Sequence, residues 1–170
     1  MVIDLQAAIS VLRDDPRFYN PASYIICGAM LLAWAVRTLR SSFSPARAWI
    51  ALAAIVPLTM LVTYHRPWDA KLLMLTIPAC ALLWSRGGRI AWTALLVTSA
   101  GMLLNADITL ASLNIIFNYL HVETAGILGT VLTLLMIRSA SLILLVMGLF
   151  YLWVYLRPEL PEAKSIIAPG

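Results

Sequence analysis

The stretch Tyr64–Lys71, YHRPWDAK, holds the densest set of groups in this sequence that can make specific contacts. His65, Arg66 and Lys71 are or can become cationic, Asp69 is anionic, and Tyr64 and Trp68 are aromatic. Cations so placed suit a phosphate, because charge-assisted hydrogen bonds are strong and a guanidinium can engage two phosphate oxygens at once. Tyr64 and Trp68 can stack on a sugar or lie at the level of lipid head groups. Asp69 can orient Arg66 or accept from a sugar hydroxyl. The plainer reading is the polar tip of a helical hairpin, with an aromatic belt and Arg66 paired to Asp69. A plain tip can be built from Gly and Ser, so the crowding of functional side chains is what favours a substrate-binding segment: Tyr64, His65, Arg66, Trp68, Asp69 and Lys71.

Other candidates are weaker. Arg138 interrupts an apolar run from Ile127 to Leu156. An ionisable residue inside a membrane points to function by default, but MIRSAS reads better as a helix boundary. Asn105, Asp107, Asn114, Asn118, His121 and Glu123 lie on a long stretch without Lys or Arg. They can line a groove, although a solvated loop with Phe117 and Tyr119 at the interface is the simpler reading. His121 and Glu123 are too few for a metal site, and neither metal nor cofactor is expected. SRGGR, residues 85–89, lacks the strand and the Lys-Ser/Thr of a phosphate loop and reads as a turn. The two histidines supply no Ser-His-Asp or Cys-His arrangement, so no catalytic residue is assigned. Cys27 and Cys80 fall in apolar runs, where they act as small hydrophobes.

The elements that position these residues follow from composition. Hydrophobic residues make up 62% of the chain and charged residues 12%, with a mean hydropathy of +0.89. A soluble domain has roughly 45–50% apolar and about 25% charged residues. The apolar excess comes in blocks, which predicts one all-α, polytopic transmembrane bundle with about five spans. Residues 1–21 form a lead in which Val2, Leu5, Ile9 and Leu12 have helical spacing, predicting an interfacial helix broken at Pro16 and Pro21. Spans are predicted over 22–39, 48–64, 70–84, 90–105 and 139–156, with a shallow or re-entrant helix over 124–137. One long tilted helix, or two full spans, are the alternatives for 124–156. The first span reaches Leu39 if Arg37 snorkels, and Pro57 can kink its helix. The 70–84 span is short, completed by motif residues or met by a thinner bilayer. The proline-rich tail, 157–170, is expected to be disordered.

The net charge of +4 is no nucleic-acid signal, because Arg and Lys stand singly or in pairs at the ends of apolar runs. There they set topology and touch lipid head groups. One side collects Arg37, Arg40, Arg47, Arg86, Arg89, Arg157 and Lys164; the other collects Arg13, Arg17, Arg66 and Lys71. The richer side is expected to be cytoplasmic, with the N-terminus and the Tyr64–Lys71 loop outside and the C-terminus inside.

The block YHRPWDAKLLMLTIPACALLW resembles the C-terminal portion of bacterial polytopic membrane glycosyltransferases of the GT-C type, in particular glycosyltransferase family 87. That group opens a short proline-containing apolar helix with an outer-face segment of aromatic, His and Asp residues and ends it near a Trp. The matching residues here are Tyr64, His65, Trp68 and Asp69, then Pro78 and Trp84. DDPRFYNPASYIICGAMLLAW and LILLVMGLFYLWVYLR fit the same pattern. The resemblance implies a transferase of the bacterial inner membrane that uses a polyprenyl-phosphate-linked sugar and inverts at the anomeric carbon. Members of that superfamily have many more spans and carry a catalytic acidic residue in the first outer loop, which nothing here matches. The chain is therefore expected to be the lipid-phosphate-binding part, inactive without a catalytic N-terminal half or a partner membrane subunit. A non-enzymatic membrane scaffold or accessory subunit of envelope assembly is the alternative. Membrane lipid is the expected surrounding partner, and nucleic acid is not.

Overall fold

The computed structural model describes residues 4–42, 44–62, 67–106, 111–112, 115–116, 119, 126–132, 134–135 and 138–158, and all regular structure among them is helical. Helix α1 (Leu5–Ile9) starts where the Asp4 carboxylate accepts the Ala7 amide at 2.6 Å. It packs on the bundle through Leu5 and Ala8, both buried.

Helix α2 (Pro16–Arg40) begins upstream of the predicted 22. Asp15 caps it by accepting the Arg17 amide at 3.0 Å. Pro16 takes the first helical position, where a missing N–H costs nothing. Pro21 therefore lies inside the helix rather than before it. It falls in the second turn, where its ring removes only the bond to the Arg17 carbonyl.

Helix α3 (Pro45–Val62) is the centre of the molecule. Ile50, Ala53, Ala54, Leu58 and Leu61 are fully buried, and its alanines let neighbours approach closely. Its main partner is α7 (Ser139–Leu156), with α2 and the segment after α3 packed alongside. That segment, Pro67–Thr76, is a 3-10 helix and leads into α4 (Ile77–Arg86). The predicted 70–84 span is thus divided between two geometries. Pro78 explains the division: it fits the first turn of an α-helix, but deeper in one its ring would clash with the Met74 carbonyl.

Helix α5 (Gly88–Leu104) follows after a single residue, Gly87. Gly87 and Gly88 have φ of 70° and 81°, the left-handed region that side chains disfavour. SRGGR is thus the tight turn of a helical hairpin. Trp84 and Trp92 meet edge to face across it at 4.9 Å. Helix α6 (Gly126–Leu132) lies within the predicted 124–137 helix and is separate from α7.

α5 runs antiparallel to α7. Thr98 meets Tyr151, and Gly101 meets Met147 one turn earlier on α7. The buried face of α5 is Ala91, Ala94, Thr98 and Gly101, all small. Three helices, α2, α3 and α7, are long and apolar enough to cross a membrane, and α5 is a shorter apolar helix of 17 residues. Among the described residues the protein is all-helical with three such helices, which suits an integral membrane protein; the predicted count of about five is not reached there by length and composition alone.

Candidate functional site

Tyr64, His65 and Arg66 lie outside the described residues, as do the side chains of Trp68 and Asp69. The backbone of Trp68, Asp69 and Lys71 forms the start of the 3-10 helix, at the end of α3 remote from Arg47. Residues three apart eclipse in 3-10 geometry. Leu73 and Thr76 accordingly share the buried face, where the Thr76 hydroxyl donates to the Leu73 carbonyl at 2.6 Å. Lys71 is exposed. Asp107, Asn114, Asn118, His121 and Glu123 also lie outside the described residues.

The opposite end of the bundle is built by arginines. Arg37 Nη2 donates to the Arg157 carbonyl at 3.1 Å and its Nε to the Tyr155 carbonyl at 3.4 Å. These carbonyls belong to the end of α7, which has no further turn to satisfy them. A cation is also favoured there by the helix dipole. The Arg157 guanidinium stacks 3.6 Å from the centre of the Trp153 ring. The Thr38 hydroxyl bonds the Tyr155 hydroxyl at 3.0 Å and the Trp34 carbonyl at 2.8 Å, while the Trp34 indole donates to the Ala51 carbonyl at 2.9 Å. These bonds tie α2, α3 and α7 together at one end. The antiparallel pairing of α5 with α7 brings Arg86 and Arg89 to the same end. Arg86 lies beyond the apolar run that closes at Trp84. Burial lowers its pKa, and its Nε and Nη1 are buried without a partner among the described residues.

Between α2 and α3 at this end lies a cavity of about 440 Å³, lined by Thr38, Ser41, Ser42, Ser44 and Arg47 with Trp34, Leu52 and Ile55 beneath. This cavity falls on RTLRSSFSPAR, between the spans predicted over 22–39 and 48–64. The segment's run of hydroxyls beside arginines was the available signal, but Tyr155, which completes the cavity, is remote in sequence.

No family model matches the chain, and neither does any curated protein or solved structure. Function is therefore argued from the residues themselves.

In the interior, Thr98 and Tyr151 share a hydroxyl–hydroxyl bond of 2.6 Å. Cys80, buried and free, lines a cavity of about 320 Å³ with Thr98 and Ser99. Asn105 is fully buried: its Nδ2 donates to the Gly101 carbonyl at 2.8 Å, and its Oδ1 has no partner among the described residues. Arg138 occupies the N-cap position of α7, so it marks a helix boundary. Among the described residues no group of three or more His, Cys, Asp and Glu is placed to hold a metal ion.

Proposed function

We propose that the protein is an integral membrane protein of the bacterial inner membrane that engages a phosphate-bearing lipid. In this reading it crosses about five times, with its arginine-rich end cytoplasmic and the Tyr64–Lys71 segment on the outer face. The observation that carries the membrane placement is the gathering of Arg37, Arg47 and Arg157 at one end of apolar helices, whose outward residues include Ile25, Leu32, Leu39, Leu96 and Leu149. The third crossing in this reading is the apolar run Leu72–Trp84, shared by the 3-10 helix and α4; it is short for a hydrocarbon core of about 30 Å and is completed by motif residues or met by a thinner bilayer. With α5 the count comes to five.

The finer reading is the lipid-phosphate-binding portion of a polyprenyl-phosphate-sugar-dependent glycosyltransferase. Arg66, His65 and Lys71 would hold the phosphate, and Tyr64, Trp68 and Asp69 would shape the sugar or lipid site. What supports it is the sequence of residues 64–84 together with the exposure of Lys71 beside the outer end of α3. The test is binding of a polyprenyl phosphate to the purified protein in detergent, beside an Arg66→Ala/Lys71→Ala variant. Saturable binding that the variant loses is the expected result. Equal, weak binding by both proteins overturns the reading and leaves the motif as an anchor of a membrane scaffold.

A further inference from the structure

The cavity between α2 and α3 changes chemistry with depth. At its mouth stand the hydroxyls of Thr38, Ser41, Ser42 and Ser44, with Arg47 on the first turn of α3. About two turns further along α3 the wall is Leu52 and Ile55, faced by Trp34 of α2. Polar donors therefore sit at the arginine-rich end, and apolar surface continues inward along the helices. A membrane lipid has this same order of groups along its length. The volume, about 440 Å³, is in the usual range for a small-ligand site.

Arg47 is the group that asks for an anion. Its Nη1 reaches the carbonyl and hydroxyl of Ser42 only at 3.4 and 3.5 Å, near the limit of a hydrogen bond. Its Nε is buried with no partner among the described residues, although burying a charged donor without an acceptor is costly. The hydroxyls around it are neutral, and among the described residues no carboxylate lines the cavity. A phosphate oxygen would satisfy the guanidinium, and the serine hydroxyls are suited to donate to the remaining oxygens.

We propose that this cavity binds the phosphate-ester head group of an anionic membrane lipid, with Arg47 on the phosphate and the first methylenes of the chain against Trp34, Leu52 and Ile55. A free phosphate shares the head-group chemistry, but it would leave the apolar floor unused. The site lies at the other end of the bundle from Tyr64–Lys71 and does not rest on the transferase reading.

The experiment uses the full chain in a neutral detergent, with bound lipid counted by native mass spectrometry. Phosphatidylglycerol, phosphatidylcholine and inorganic phosphate alone are the probes. Phosphatidylglycerol is expected to bind in preference to phosphatidylcholine. Arg47→Gln should weaken it by about tenfold or more, the loss of one charge-assisted contact. Arg89→Gln removes the same charge from the exposed turn at the same end and should leave affinity unchanged. Ile55→Trp fills the floor without touching a charge and should weaken the lipid while sparing inorganic phosphate. Equal losses in the two arginine variants, or no preference between the two lipids, would overturn the site. Inorganic phosphate binding as tightly as the lipid would overturn the lipid as its occupant. If Arg47→Gln fails to fold, Ile55→Trp decides, and undiminished lipid binding there overturns the proposal.

Discussion

At the scale of single residues, the decisive side chain is Arg37. A cation at the end of an apolar run reads as a topology signal, and its reach toward water is the default expectation. In the fold it turns inward to two carbonyls of another helix. Two donors of one planar group meet two acceptors, which an ammonium cannot reproduce. Arg37→Gln is expected to destabilise the protein by about 1–3 kcal/mol, with Arg37→Lys recovering only part of the loss. Unfolding in mixed detergent followed by circular dichroism measures both. A lysine variant as stable as the parent would reduce Arg37 to a simple charge near a helix end. Residue type was legible here, while the partner was not, because Arg157 is separated from Arg37 by nearly the whole chain.

At the scale of elements, close approach is set by glycines that look alike in sequence. A Cβ on Gly148 would stand 2.9 Å from Leu58 Cδ2 and 3.4 Å from its Cγ, and Leu58 is fully buried. A Cβ on Gly28 would meet nothing within 4 Å. Gly148→Val should therefore cost about 1–3 kcal/mol by overpacking the α3–α7 contact. Gly28→Val should stay within about 0.5 kcal/mol. Equal effects in the same unfolding assay would mean that α3 and α7 are not held at this separation. The 3-10 helix is the element least legible beforehand. Pro78 is consistent with a kink as well as with a change of helix type, and the geometry upstream of it goes with the packing of Leu73 and Thr76 against the bundle.

At the scale of the whole molecule, the number of crossings decides what faces which compartment. Lys71, within the 3-10 helix, and Arg89, just past the Gly87–Gly88 turn, are both exposed and flank the apolar run Leu72–Trp84. If this unit crosses, they lie on opposite sides of the membrane. Lys71→Cys is expected to react with a membrane-impermeant maleimide on intact spheroplasts, and Arg89→Cys only after permeabilisation. The native Cys27 and Cys80 are buried, so the parent protein should be a blank. Labelling of both positions from one side would exclude a crossing by this unit.

The sequence alone determined the class. Apolar blocks of helical length, separated by prolines, glycines and isolated arginines, leave a chain little choice but to form helices whose backbone bonds close internally. It also determined that SRGGR turns and that Arg138 marks a helix boundary, because both depend on local backbone chemistry. It singled out Tyr64–Lys71 by composition, though most of that segment falls outside the described residues. Only the tertiary structure decided which helices are neighbours, that α5 is antiparallel to α7, and that the α2–α3 connector with Tyr155 encloses a cavity beside Arg47. Those outcomes depend on contacts between residues far apart in the chain, where small side chains, buried hydroxyls and one forked cation select among packings that hydropathy alone makes nearly equivalent.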